Sequence, residues 1–159
     1  MALENTTKDA TLSQKILDLS GENISKCYQC GLCSARCLIS SETNFFTRLV
    51  IRFAQLDKTE VLESKAIWLC LSCLSCRIKC PRGINLGTVM ETLRQISLMK
   101  GVDKYAVRCN RCGRLFLTTP LQIYIKARLK DKTINEEILN LCPSCKKYYH
   151  YDILEKKLL

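Results

Sequence analysis

Apolar residues recur along this chain at three- and four-residue intervals, and polar caps separate the runs they form. Leu12, Ile16, Leu17 and Leu19 follow a capping-box-like start at Thr11 and Gln14 and stop at Gly21, which predicts a short helix. Phe45, Leu49, Phe53 and Leu56 lie on one face of a second predicted helix, with Arg48, Arg52 and Gln55 on the other. Capping residues between Ser40 and Thr43 precede it, and Val61 and Leu62 begin a shorter helix leading to Trp68. Asn85 caps a further helix carrying Leu86, Val89, Met90, Leu93 and Ile96, ended by Gly101. Towards the C-terminus, Thr119 as a cap and Pro120 in the first turn introduce a face of Leu121, Tyr124, Ile125 and Leu129. Thr133 and Glu136 then form a capping box ahead of Ile138, Leu139 and Leu141. With 6 glycines and 3 prolines, a turn-rich all-β chain is disfavoured, and the expected fold class is mainly α.

Composition changes this picture through the cysteines. The chain has 159 residues, and hydrophobic residues make up 47%, but 12 of them are cysteine, which leaves a lean apolar core. Cys27, Cys30, Cys33 and Cys37 share one spacing with Cys70, Cys73, Cys76 and Cys80, C-x2-C-x2-C-x3-C, and Pro81 follows the second run. That is the ligand run of a two-cluster ferredoxin, in which three thiolates hold one [4Fe–4S] cube and the fourth reaches across to the other. Three closely spaced cysteines let a wrapped loop serve three corners of one cube, while the fourth leaves that loop. Cys27, Cys30, Cys33 and Cys80 are therefore assigned to one cluster, and Cys70, Cys73, Cys76 and Cys37 to the other. Disulfides would need repeated i, i+3 bridges within tight loops. Zinc usually closes with two separated pairs, so cubane clusters suit the doubled run better.

The strings KCYQCGLCSARC from Lys26 and IWLCLSCLSCRIKCPRGINL from Ile67, with helical segments between and after them, resemble the C subunit of heterodisulfide reductase and, more broadly, the α-helical ferredoxins. The resemblance runs from about Ser13 to Gly101, and it departs at Leu38, where many relatives carry proline. It implies two clusters between helices and an electron wire. In such complexes, the C subunit passes electrons between a flavin- and iron–sulfur-containing subunit and one that reduces a disulfide. Related modules serve glycerol-3-phosphate, lactate and succinate dehydrogenase complexes, which is the alternative setting. The chain itself has no glycine-rich nucleotide loop, no adjacent cysteine pair and a single histidine, His150. No catalytic residues or small-molecule substrate are therefore expected on it, and the substrate site is expected on a partner.

Cys109, Cys112, Cys142 and Cys145 make two CxxC knuckles around a helical insertion, the pattern of one tetrahedral metal site. Zinc is the expected ion, with rubredoxin-like iron as the alternative; His150 lies close behind but four thiols already fill the site. The expected division is a ferredoxin domain over residues 1–101 and a paired-CxxC module over 102–159.

Charge comes last. Lysine and arginine exceed acidic residues by 10. With a basic run at Lys126, Arg128, Lys130 and Lys132, this suggests a zinc-based nucleic-acid-binding or adaptor protein as a reading of a different class. Asp131, Glu136 and Glu137 interrupt the run. Three four-thiolate sites would withdraw about six charges, so most of the excess reads as counter-charge to bound metal. Arg36, Arg77, Lys79 and Arg82 flank the two runs and either raise cluster potentials, attract an acidic partner or are simply solvated. No basic, apolar leader and no stretch of about 18 apolar residues is present, so a cytoplasmic location without a membrane span is expected.

Overall fold

A computed structural model describes residues 10–40, 46–129 and 136–149. The chain divides into two compact units, Met1–Asp103 and Lys104–Leu159.

The first unit is helical. Helix α1 spans Leu12–Ser20; the Thr11 hydroxyl accepts from the Gln14 N–H at 3.2 Å, and Gly21 closes the helix in a left-handed conformation, φ 73°. Leu12 and Ile16 are its buried residues. Helix α2, Leu32–Ala35, and, further along, α5, Ser75–Ile78, are single turns inside the two cysteine runs. Between the runs come α3, Thr47–Gln55, a 3₁₀ turn over Thr59–Glu63, and α4, Lys65–Leu69, whose start is capped by the Ser64 hydroxyl. Helix α6, Leu86–Met99, starts at Asn85, whose side chain accepts from the Thr88 N–H. It is the spine of the unit, packing against α1, α4, α5 and the 3₁₀ turn.

The core of this unit collects Ile16, Ile24, Val50, Ile51, Val61, Leu62, Ile67, Trp68, Val89 and Leu93. Each such side chain stabilises by roughly 1.5–3 kcal/mol when withdrawn from water. Helix α3 corrects the expected face. Its buried stripe is Val50, Ile51 and Ala54, whereas Leu56 is exposed and Phe53 lies under the Lys58 ammonium at 5.4 Å. Two apolar stripes run along this helix, and the partners α1 and α4 select between them. Of the expected capping stretch over 40–43, all but Ser40 lies outside the described residues, as does Phe45. Trp68, to which the short helix leads, is 1% exposed.

One buried polar group ties the spine to the 3₁₀ turn: the Ser97 hydroxyl shares its proton between the Leu62 carbonyl at 2.8 Å and the Leu93 carbonyl at 2.9 Å. Ser97→Ala leaves the Leu62 carbonyl without this donor. It is expected to lower stability by about 1–3 kcal/mol, read as a shifted urea midpoint at unchanged cluster content.

The second unit adds a β-hairpin to the expected helical insertion. Strands β1, Ala106–Arg108, and β2, Leu115–Thr118, pair antiparallel, with Ala106 opposite Thr118 and an irregularity between Val107 and Arg108. Gly113, in the left-handed region at φ 69°, lets the connecting loop turn back. Helix α7 runs Thr119–Arg128 with Pro120 in its first turn, so its cap is Thr118, not Thr119. Of the expected α7 face, Tyr124 is exposed, with the Arg128 guanidinium 5.4 Å from its ring, and Leu121, Ile125 and Leu129 are half-buried. A short helix α8, Glu136–Leu139, and a helical segment over 143–149 complete the unit. Thr133, Lys130, Lys132 and His150 lie outside the described residues.

Candidate metal centres

The two cysteine runs fold as a repeat. In the first, Gln29 and Gly31 take left-handed backbone conformations, φ 67° and 83°; in the second, Ser72 and Leu74 do so at the same offsets, φ 50° and 61°. Each second bend starts a one-turn helix, α2 or α5, with the third cysteine, Cys33 or Cys76, at its second position. These bends curl the chain so that neighbouring thiols face one hollow instead of alternating along an extended strand. Gly31 makes the first repeat legible in the sequence. Leu74 hides the second, because a branched residue in this region costs on the order of 1 kcal/mol. Its side chain rests on α6 at Gly87, where a Cβ would stand 2.8 Å from Leu74 Cδ2.

Two cavities result. Cys27, Cys30, Cys33 and Cys80 line one, with Ile51, Ile84 and Leu86 among its apolar walls. Cys37, Cys70, Cys73 and Cys76 line the other, with Leu38, Leu71, Leu74 and Met90. Each gathers three cysteines from one run and the last cysteine of the other. Electrostatics register the same neighbourhoods: burial raises the Cys70 thiol pKa, and the charge of Cys37 adds to it. Burial and the Cys70 charge push Cys76 up to about 11, with a contribution from Cys33. Cys73, exposed and beside the Ser75 hydroxyl, is lowered. None of the twelve cysteines is paired in a disulfide.

Both hollows are anchored by side chains that sequence reasoning does not single out. Gln55, the last residue of α3, donates from Nε2 to the carbonyls of Ile24 at 2.9 Å and Cys27 at 3.0 Å. Its Oε1 accepts from Gln29 Nε2 at 3.2 Å, gripping the first bend as well. Arg94 on α6 donates from Nε to the Ile67 carbonyl at 2.5 Å and from Nη2 to the Cys70 carbonyl. Their sequence signal is faint: Gln55 reads as one more polar residue beside Arg48 and Arg52, and only Arg94 stands among apolar positions of its helix. Of the flanking cations, Arg36, Arg77, Lys79 and Arg82 are exposed, and Arg82 stacks 5.2 Å from the Tyr28 ring.

In the second unit, the Sγ atoms of Cys109, Cys112, Cys142 and Cys145 all lie within 4.8 Å of one another, and those of Cys112 and Cys142 are 3.7 Å apart. Metal–sulfur bonds of about 2.3 Å in a tetrahedron put sulfurs about 3.8 Å apart, so this set fits one tetrahedral ion. The hairpin loop delivers the first pair, held by Cys109 N–H to Arg114 carbonyl and Gly113 N–H to Cys109 carbonyl bonds, both 2.9 Å. The second pair sits at the start of the segment over 143–149. Burial opposes ionisation of Cys109, but N–H groups of Cys142, Cys112 and Arg111 bring it down to about 6. Burial and the neighbouring sulfurs push Cys145 up to about 12. A divalent ion relieves this crowding by placing positive charge among the sulfurs. The buried core of this unit is Cys109, Leu141, Cys142 and Cys145, with Phe116 and Tyr149 packed against it.

The first unit is thus a helical domain built around two four-cysteine hollows, and residues 23–84 match the family described as the 4Fe-4S dicluster domain. The chain is similar to the C subunits of heterodisulfide reductases. It is 36% identical over 87 residues to the C subunit of the ferredoxin:CoB-CoM heterodisulfide reductase of Methanosarcina mazei, covering 55% of this chain and 54% of that one. It is 39% identical over 80 residues to the iron-sulfur C 2 subunit of the CoB–CoM heterodisulfide reductase of Methanocaldococcus jannaschii, covering 50% and 43%. The corresponding C subunit of Methanopyrus kandleri is 32% identical over 96 residues, covering 60% and 48%. The chain spans about half the length of the curated relatives it matches.

Proposed function

We propose that this chain is the electron-transferring iron–sulfur subunit of a heterodisulfide-reductase-like complex, linking a flavin- and iron–sulfur-containing subunit to a disulfide-reducing one in the cytoplasm. The observation that carries the reading is the composition of the two hollows, each with three cysteines of one run and the fourth of the other. In this reading Cys27, Cys30, Cys33 and Cys80 hold one [4Fe–4S] cluster, and Cys37, Cys70, Cys73 and Cys76 hold the second. When bound, such clusters supply reversible one-electron storage over a potential range set by their surroundings. The chain's own residues do the rest. Ile51, Ile84, Leu86 and Met90 wall the hollows against water, and the left-handed bends hold the thiols in place.

One cysteine of each set, Cys30 and Cys73, is exposed, which gives each centre an edge that a partner chain can approach. Around these edges stand solvent-facing apolar residues: Tyr28 and Leu32 at the first hollow; Leu38, 72% exposed, with Leu71 and Leu74 at the second. Apolar surface of this kind suits docking to other subunits. The family match over residues 23–84 weighs against the nucleic-acid-binding reading of the basic charge. Among the described residues no helix is long and apolar enough to cross a membrane.

For the second unit we propose a structural zinc on Cys109, Cys112, Cys142 and Cys145, supported by the tetrahedral spacing of four thiols within a core too small to hold the unit unaided. Rubredoxin-like iron is the competing ion at the same ligands.

The test is anaerobic purification and reconstitution of the full chain, with metal and sulfide analysis. About eight iron, about eight acid-labile sulfide and one zinc per chain are expected, with EPR signals on reduction. Protein that takes up no sulfide after reconstitution would refute the cluster reading. Co-purification from the native host, with a disulfide-reducing subunit as the expected companion, checks the partners. A dehydrogenase in its place would overturn that assignment.

A further inference from the structure

The two cysteine hollows are matched in spacing and backbone but not in how their first cysteine is anchored. At the first, the Ile24 and Cys27 carbonyls are gripped by the neutral amide of Gln55. At the second, the Ile67 and Cys70 carbonyls, at the same three-residue separation, are gripped by the guanidinium of Arg94. Both pairs of carbonyls close a short helical turn leading into a run, the 3₁₀ turn Ile24–Lys26 in one case and α4 in the other. The last carbonyls of a helical turn readily take an outside donor, which at Ile24 adds to the Cys27 N–H already bonded there at 3.0 Å. Either side chain supplies such a donor, so hydrogen bonding alone does not explain why one donor is charged.

We propose that Arg94 is a positioning residue that sets the electrostatic difference between the two centres, raising the reduction potential of the cluster held by Cys37, Cys70, Cys73 and Cys76, with Gln55 as its uncharged counterpart at the other. The inference rests on the reading of the eight cysteines as cluster ligands. A fixed positive charge favours the more negative, reduced state, and cluster potentials follow net charge, hydrogen bonding and exposure. Arginine keeps its charge even when partly buried. Other charges stand nearby: Glu91 on the same helix is exposed and opposes Arg94, while Arg52, which donates from Nη1 to Gln55 Oε1 at 3.4 Å, Arg48 at the first hollow and Arg82 over Tyr28 are exposed cations. Solvent and salt screen exposed charges far more than a half-buried guanidinium bonded to the cysteine backbone.

The experiment is an EPR-monitored redox titration of the reconstituted full chain, with the second cluster identified as the one whose signal Cys73→Ser perturbs. Arg94→Gln, which installs at the second centre the anchor used at the first, is expected to lower that cluster's midpoint. The expected size is about a tenfold fall in its reduced-to-oxidised ratio at fixed potential, 59 mV for one electron, with the other midpoint unmoved. Arg94→Lys keeps the charge and loses the two-carbonyl grip, and it should stay near the wild-type value. An unmoved midpoint in Arg94→Gln, an equal fall at both clusters, or a lysine variant falling as far as the glutamine variant overturns the proposal. Should Arg94→Gln fail to retain its cluster, Gln55→Arg carries the test: the first cluster's midpoint is expected to rise, and no rise overturns the proposal. Wild-type protein that binds no iron and sulfide would instead sink the underlying cluster reading, and metal analysis reveals that before any titration.

Discussion

Cys37→Ala is expected to abolish the cluster signal tied to Cys70, Cys73 and Cys76 while leaving the signal tied to Cys27, Cys30 and Cys33. Cys80→Ala should do the reverse. In each variant, iron and sulfide should fall from about eight to about four per chain, and one of two EPR signals should disappear on reduction. The expectation follows from the hollows: Cys37 faces the one lined by the second run, and Cys80 the one lined by the first. The physical cause lies in the chain path. After the third cysteine the one-turn helix α2 or α5 carries the backbone out of the loop, and the cap residues Arg36 and Lys79 release it. The fourth thiol therefore leaves the hollow its neighbours line. Alanine removes a ligand without a replacement donor, and a cube lacking a thiolate is open to solvent and loss of iron. Each substitution damaging the cluster of its own run would overturn the crossed assignment.

The second large effect concerns Cys142→Ala in the other unit. The substitution should eliminate the zinc and unfold that unit while both clusters of the first persist. Proteolysis and hydrogen exchange across residues 104–149 are expected to accelerate at least about a hundredfold, because binding energy at a structural zinc site is folding energy. The core explains the dependence. Among the described residues its buried members are three cysteines and Leu141, joined by Phe116 and Tyr149, and a thiol cluster without its ion offers crowding in place of cohesion. A stringent chelator should reproduce the effect on the wild-type chain, with one zinc released. Retained protection after loss of the metal would show that apolar packing suffices. Iron with rubredoxin-like colour in place of zinc would overturn the choice of ion and leave the ligand set standing.

The parts of this protein legible in its sequence are those governed by near neighbours. Thr11 with Gln14, Gly21, and Asn85 with Thr88 mark helix ends because a cap is a contact across three or four residues. The cysteine runs are legible for a related reason: a thiol spacing of three restricts which metal geometry a loop can serve. Where two local patterns compete, the sequence alone does not decide. Helix α3 carries Leu49, Phe53 and Leu56 beside Val50, Ile51 and Ala54, both stripes apolar at helical spacing, and burial falls on the second. The hairpin of the second unit is not legible, because strands of three and four residues show too little alternation to register. The α7 face misleads for the opposite reason: its pattern suggests a buried stripe, yet the helix has one buried residue, Pro120.

Cysteine spacing and the caps at Thr11 and Asn85 were thus determined by the sequence by itself, since each is a property of residues a few positions apart. Which stripe of α3 turns inward, and the anchoring of Cys27 by Gln55 and of Cys70 by Arg94, were decided by tertiary structure. The two anchors join residues 24 to 31 positions apart, whose meeting depends on how α3 and α6 pack, and no local pattern carries that information.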